Sequence, residues 1–252
     1  MNFFCRIQPL QAHEREAAHQ RTQGPYEEHQ WLWERFFPAP RGTARDFLFR
    51  RIGDGSVPTF YALSARPARS DVPGWEVKLQ DYAPRISAGD RLHFDLRANP
   101  VISRLGEPQR HPDGTPRLCA TGKRAGSPKC KVTRHDVVMH AKKTLLAQAG
   151  APTWAAWASE AKPALHDLVH EAGSRWLRER SNTHGFTLDE PCLTAEAYTQ
   201  HRGKRGAILF SSIDFSGELT VTDPEAFTAA LVHGIGHAKA FGCGLLLVRR
   251  AG

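Results

Sequence analysis

The sequence predicts an α+β fold built from two similar units. Three observations predict it. Runs of alternating apolar and polar residues occur on both sides of a divide near residue 90: Trp75/Val77/Leu79, Leu92/Phe94/Leu96 and Ile213/Phe215/Leu219/Val221. Each side also carries a helix that starts at a proline, after Gly24 in the first and after Asp223 in the second. Finally, turn-rich segments separate the strands from the helices throughout. We therefore expect one unit in residues 1–90 and a second in 91–252, with no repeat of 20–50 residues visible.

The elements follow in order. Asn2–Ile7 reads as a short strand, and the polar stretch His13–Gln23 as a loop or frayed helix. A helix from Gly24-Pro25 to about Phe37 is stopped by Pro38 and Pro40. On it Tyr26, His29 and Trp33 share one face, with Leu32 and Phe36 on a more buried one. Strands are predicted at Asp46–Arg51, Thr59–Leu63, Trp75–Gln80 and Arg91–Arg97, and any helix in the Pro-rich Ser64–Gly74 is short. Gly106–Ser127 is a loop-rich connector, and Lys129–His140 reads as a strand. Thr153–Arg180 is expected to be mostly helical, broken near Pro163. The last third reads as a strand through Ile213–Val221, a helix over Glu225–His233 and a final strand, Leu245–Val248.

Charge is concentrated. The net formal charge is +8, and ten Lys and Arg against three acidic residues fall between Val101 and Gly150. A basic segment of this density is the footprint of a polyanion binder, although composition alone does not separate nucleic acid from other polyanions. No apolar run approaches the roughly 18 residues of a membrane span, and the N-terminus lacks the layout of a signal peptide. A cytoplasmic protein with no membrane partner is expected. The five cysteines are odd in number and scattered, which argues against a disulfide framework. Cys119 and Cys130, near His135 and His140, do not have a zinc-knuckle spacing, so no metal is assigned.

One segment stands apart: Gly234, Gly236, Gly242 and Gly244, with Lys239 among them. That density exceeds what packing alone suggests, because glycine loses the most backbone entropy on folding. A loop that brings backbone N–H groups close to phosphate is the natural expectation.

The glycine loop, Ala44-Arg45-Asp46-Phe47-Leu48-Phe49, Phe94-Asp95-Leu96-Arg97-Ala98-Asn99-Pro100 and the helix with Tyr26-Glu27-Glu28-His29 occur in one order. Together they resemble the CasE-like family, the CRISPR repeat-RNA endoribonucleases of type I-E Cascade complexes. The resemblance runs from Asn2 to Val248 and is weakest in residues 10–24 and 103–170. It implies two tandem ferredoxin-like (RRM-like) domains. It also implies metal-independent, cofactor-free cleavage of precursor CRISPR RNA at the base of the repeat stem-loop, with other Cascade subunits as partners. The family's catalytic pair falls on Tyr26 and His29. Its RNA-binding hairpin falls on the basic turn with Arg202, Lys204 and Arg205.

The residue types suit that chemistry. Attack by a 2′-hydroxyl needs a proton acceptor, in-line placement and protonation of the leaving oxygen. An imidazole near neutrality suits the first role, so His29 is expected to be the base and Tyr26 to position the 2′-hydroxyl or donate to phosphate, although the roles are exchangeable. A lone histidine is more often a surface or satisfied core residue; the Tyr26/His29 motif is what reverses that reading. Lys123, Arg124, Lys129, Lys131 and Arg134 are expected to neutralise further phosphates, and Lys239 to meet RNA or the first helix. Two other readings stand beside this one. A non-catalytic hairpin binder shares the fold, whereas a nucleotide-dependent enzyme is disfavoured because the glycine loop lacks P-loop and Rossmann spacing.

Overall fold

The computed structural model describes the 252-residue chain except residues 16, 18–23, 41, 53–56, 122–123, 203–207 and 252. It divides into two compact units, one of residues 1–100 with 163–252 and one of residues 101–162.

In the first unit, β1 (Phe3–Pro9), helix α1 (Pro25–Arg35), β2 (Phe47–Ile52), β3 (Thr59–Ser64) and β4 (Trp75–Asp81) form a four-stranded antiparallel sheet of order β2-β3-β1-β4. That is the ferredoxin-like order with its second helix reduced to the turns of Ala65–Gly74. Helix α1 docks because Leu32 and Phe36, four residues apart, meet Ile7, Phe47, Phe49 and Phe60 on one sheet face. Burying each of these side chains is worth about 1.5–3 kcal/mol. Strand β2 is covered on both faces: Phe47 and Phe49 face α1, while Leu48 packs with Leu63 and Leu245. This double burial explains why Phe47-Leu48-Phe49 is a continuous apolar run where a half-exposed strand would alternate.

The second sheet repeats the plan. It uses β5 (Arg91–Ala98), helix α3 (Leu165–Ser181), β8 (Phe186–Leu188), β9 (Thr194–Arg202), β10 (Ile208–Val221), helix α4 (Pro224–His233) and β11 (Leu246–Arg250). Its order is β11-β5-β10-β8, with β9 also paired to β10. Strands β8 and β9 thus share the position of one ferredoxin-like second strand. Trp176 of α3 stacks on Phe215 at 5.8 Å, and Phe227 of α4 meets Phe186 edge-on at 5.8 Å. The fold is therefore two tandem ferredoxin-like domains. Asp223 caps α4 by accepting from the Glu225 and Ala226 amides at 3.0 and 3.1 Å. Asp223→Ala is expected to cost about 1 kcal/mol, read as a lower urea midpoint at unchanged slope.

The chain between β5 and α3 forms the second unit. It holds the hairpin β6 (Val101–Pro108) and β7 (Cys130–Asp136), followed by helix α2 (Val137–Ala149). Two sequence expectations are corrected here. The strand predicted over Lys129–His140 stops at Asp136, whose carboxylate accepts from the Met139 amide at 2.7 Å and starts a helix. The helix predicted from Thr153 begins only at Leu165. Before it, the Thr153 and Ser159 side chains bond nearby amides, Ala156 and Ala161 at 3.2 Å each, which competes with helix hydrogen bonding. No helix among the described residues is long and apolar enough to cross a membrane.

Candidate active site

Helix α1 carries the centre of the site. Pro25 at its first turn costs no hydrogen bond, because that amide has no helical partner in any case. Tyr26 and His29, three residues apart, then rise from one face. His29 lies over strand β2: its ring stacks on Phe47 at 5.5 Å and on Phe49 at 6.2 Å, and Trp33 closes edge-on at 5.6 Å. Its Nδ1 is buried and has no hydrogen-bond partner among the described residues. Burial pushes the imidazole below its ordinary pKa, and the guanidinium of Arg45 pushes it further. A neutral imidazole at pH 7 follows.

Tyr26 is 48% exposed, so it faces solvent where a large substrate has access. Its hydroxyl accepts from Gln30 Nε2 at 2.9 Å, and its ring lies 6.4 Å from Phe241 of the glycine loop. Phe241 begins an aromatic ladder, stacked on Phe210 at 5.0 Å, which stacks on His201 at 4.3 Å. His201 also bonds Ser212 Oγ at 2.8 Å. Beside the ladder, Pro25, Glu28, Arg51, Arg97, His201, Phe241 and Gly242 line a cavity of about 150 Å³. Its charges are already matched. Arg51 pairs with Glu28, and Arg97 holds Asp214 through two bonds of 2.7 Å.

The glycine loop packs on protein at all four glycines. Gly234 has φ 72° and ψ 163°, a region essentially closed to side chains. A Cβ there would stand 2.7 Å from the Gly244 carbonyl oxygen, which accepts from the Ile235 amide at 2.9 Å. Gly236 lies against Trp176, and Gly242 against the Phe49 ring that also supports His29. Close approach of the chain to itself accounts for the glycine density, so the expectation that packing would not suffice is corrected. Within the loop, Lys239 Nζ donates to the His233 carbonyl oxygen at 2.6 Å, at the C-terminal end of α4. Among the described residues its two remaining donors have no partner, and burial with the nearby Arg45 holds its pKa below the usual lysine value.

Tyr26, His29, Lys239 and the four glycines thus gather in the first unit. Arg202 ends β9 next to His201 and is exposed, while Lys204 and Arg205 lie outside the described residues. In the other unit Lys129, Lys131 and Arg134 are exposed, on β7 or beside it. Arg124 donates to the Pro128 carbonyl at 3.1 Å, and Lys123 lies outside the described residues. Sequence reasoning missed Arg45, Arg97, His201 and Phe241 as neighbours of this site. No spacing marks them, because tertiary packing rather than chain proximity brings them to α1.

Known proteins match this chain along nearly its whole length. The family model described as CRISPR associated protein matches residues 3–250. The CRISPR system Cascade subunit CasE of Escherichia coli is 27% identical over 225 residues, covering 88% of this chain and 89% of that protein. The CRISPR-associated endoribonuclease Cse3 of Thermus thermophilus is 28% identical over 185 residues, covering 70% and 68%. Among solved structures, Thermus thermophilus Cse3 bound to an RNA representing a pre-cleavage complex superposes with a TM-score of 0.61. The identity there is 22%, with 99% of this chain and 100% of that chain covered. Cas6e of Escherichia coli gives a TM-score of 0.55 at 21% identity, covering 99% and 100%. These likenesses are to the tandem ferredoxin-like fold described above.

Proposed function

This chain belongs to the CRISPR-associated protein family, and from that premise we propose that it is an endoribonuclease of precursor CRISPR RNA. The relatives that cover most of its length are named as a Cascade subunit and as a CRISPR-associated endoribonuclease. Cleavage falls at the base of the repeat stem-loop and needs no metal. The product hairpin stays bound, and other Cascade subunits are the protein partners.

The observation that carries the chemistry is His29: a half-buried imidazole with its pKa held down, three residues from an exposed tyrosine. In this reading neutral His29 takes the proton of the 2′-hydroxyl, and the 2′-oxygen attacks the adjacent phosphorus. The bond to the 5′-oxygen breaks, that oxygen takes a proton from solvent as it leaves, and His29 returns the proton it took to solvent afterwards. The products carry a 5′-hydroxyl and a 2′,3′-cyclic phosphate. Tyr26 offers its hydroxyl as a hydrogen-bond donor to phosphate or aligns the 2′-hydroxyl. The rigid aromatic seat beneath His29 supports this role, since a base held in place loses less to misalignment. The exposed Lys129, Lys131, Arg134 and Arg202 and the half-buried Arg124, with Lys123, Lys204 and Arg205, supply phosphate neutralisation, so affinity falls with salt. Gly234, Gly236, Gly242 and Gly244 hold Lys239 and Phe241 against α1.

Incubation with a synthetic CRISPR repeat hairpin in excess EDTA tests the proposal. Cleavage to a cyclic-phosphate product is expected. Tight binding without cleavage would overturn the nuclease reading in favour of a hairpin-binding protein.

A further inference from the structure

We propose that Arg45 holds the scissile phosphate: its guanidinium, together with the Lys239 ammonium, takes the non-bridging oxygens beside His29. The proposal rests on the endoribonuclease reading and deepens it.

Arg45 differs from the arginines around it in having no acidic partner among the described residues. Arg50 closes on Asp95 at 2.7 Å, Arg51 on Glu28, and Arg97 on Asp214 at 2.7 Å. The carboxylate next in sequence, Asp46, is taken by Arg66, which also donates to the Phe37 and Pro38 carbonyls. Among the described residues Arg45 forms no ion pair, and its Nη1 is buried without a hydrogen bond. A buried guanidinium donor left this way loses its hydration with nothing in return.

Its charged neighbours make the position worse for the free protein. Arg45 acts electrostatically on His29 and on Lys239, and in both cases it disfavours the charged form. Two cations and an imidazole with an orphaned Nδ1 therefore converge, and none of the three has an acidic partner among the described residues. The geometry follows from the chain path. Arg45 stands two residues before Phe47, the ring on which His29 stacks, at the entry to β2, and its charge is felt at His29. Lys239 arrives from the glycine loop, whose Gly242 rests on Phe49 of the same strand.

One anion satisfies all three groups. A phosphodiester brings one negative charge in the ground state and gains a second as the 2′-oxygen attacks, so the same contacts strengthen in the transition state. A guanidinium fork matches two phosphate oxygens, which an ammonium does not.

Single-turnover cleavage of a repeat hairpin tests this with wild type, Arg45→Met and Arg45→Lys. Arg45→Met is expected to slow cleavage about 10²–10³-fold, as for loss of one transition-state donor, at unchanged melting temperature. Arg45→Lys should recover part of the rate, and added guanidinium chloride should raise Arg45→Met but not wild type. A substrate with either phosphorothioate diastereomer at the scissile position gives a readout that a structural role does not move. Wild type is expected to prefer one diastereomer, and both variants to lose the preference. Wild type that cleaves while Arg45→Met stays within about threefold of its rate overturns the proposal. So does an unchanged diastereomer preference in Arg45→Lys, should Arg45→Met fail to fold. Wild type that binds and never cleaves overturns the parent reading, and this one with it.

Discussion

His29→Ala is expected to slow hairpin cleavage by about 10²–10⁴-fold, the range for losing a general acid or base, and to leave hairpin affinity within about twofold. The split follows from where the side chain acts. A base removes its proton only in the transition state, so its loss lowers the rate constant and spares ground-state binding. Single-turnover rates and a binding isotherm on the same hairpin separate the two. A variant that cleaves at the wild-type rate overturns the assignment.

The wild-type pH profile gives the direction of proton transfer. Burial and the Arg45 charge hold His29 below its usual value of 6.5. If the neutral form acts as base, the rate rises with pH through a midpoint below 6.5 and is level by neutrality. If the protonated form is the one required, the rate falls with pH through that same midpoint. The first profile is expected; the second would exchange the roles of His29 and the group that serves as base.

The largest expected effect on stability is at Gly234. Its φ of 72° and ψ of 163° lie where only glycine is comfortable, and an alanine Cβ would stand 2.7 Å from the Gly244 carbonyl oxygen and 2.9 Å from Leu48 Cδ1. Neither neighbour yields easily, because that oxygen bonds the Ile235 amide and Leu48 packs with Leu63 and Leu245. Backbone strain and overpacking each cost about 1–3 kcal/mol, so Gly234→Ala should lose on the order of 3 kcal/mol. At about 2–4 °C per kcal/mol for a chain of this size, the melting temperature should fall roughly 6–12 °C. Gly89→Ala is the control: φ there is +85° with nothing within 4 Å of the added Cβ. It should cost only about 1–2 kcal/mol. Equal losses at the two sites would refute the packing account of the glycine loop.

That loop divides what is legible in the sequence from what is not. Four glycines within Gly234–Gly244 announce an unusual backbone, and phosphate is the anion that such loops most often approach. The partners of this one are Gly244, Trp176, Leu48 and Phe49, drawn from across the chain. No local pattern distinguishes a glycine that makes room for a ligand from one that makes room for another strand.

The sequence by itself determined the element types wherever side-chain periodicity and end signals agree. Strand β5 shows it in Leu92/Phe94/Leu96, and α4 in Asp223-Pro224; both are consequences of the chain within a few residues. It failed at Asp136, where valines suited to a strand follow a residue that caps a helix, and local preferences for the two conformations are nearly balanced. The resemblance picked out Tyr26 and His29 because the pair lies within one helical turn. Only the tertiary structure decided their surroundings. The order β2-β3-β1-β4 sets Phe47, Phe49 and the approach of Arg45 beneath α1, and the second domain brings Lys239 and Phe241 to the same helix from about 200 residues away. Those contacts depend on strand order and double burial of β2, which are properties of the assembled sheets and have no period along the chain.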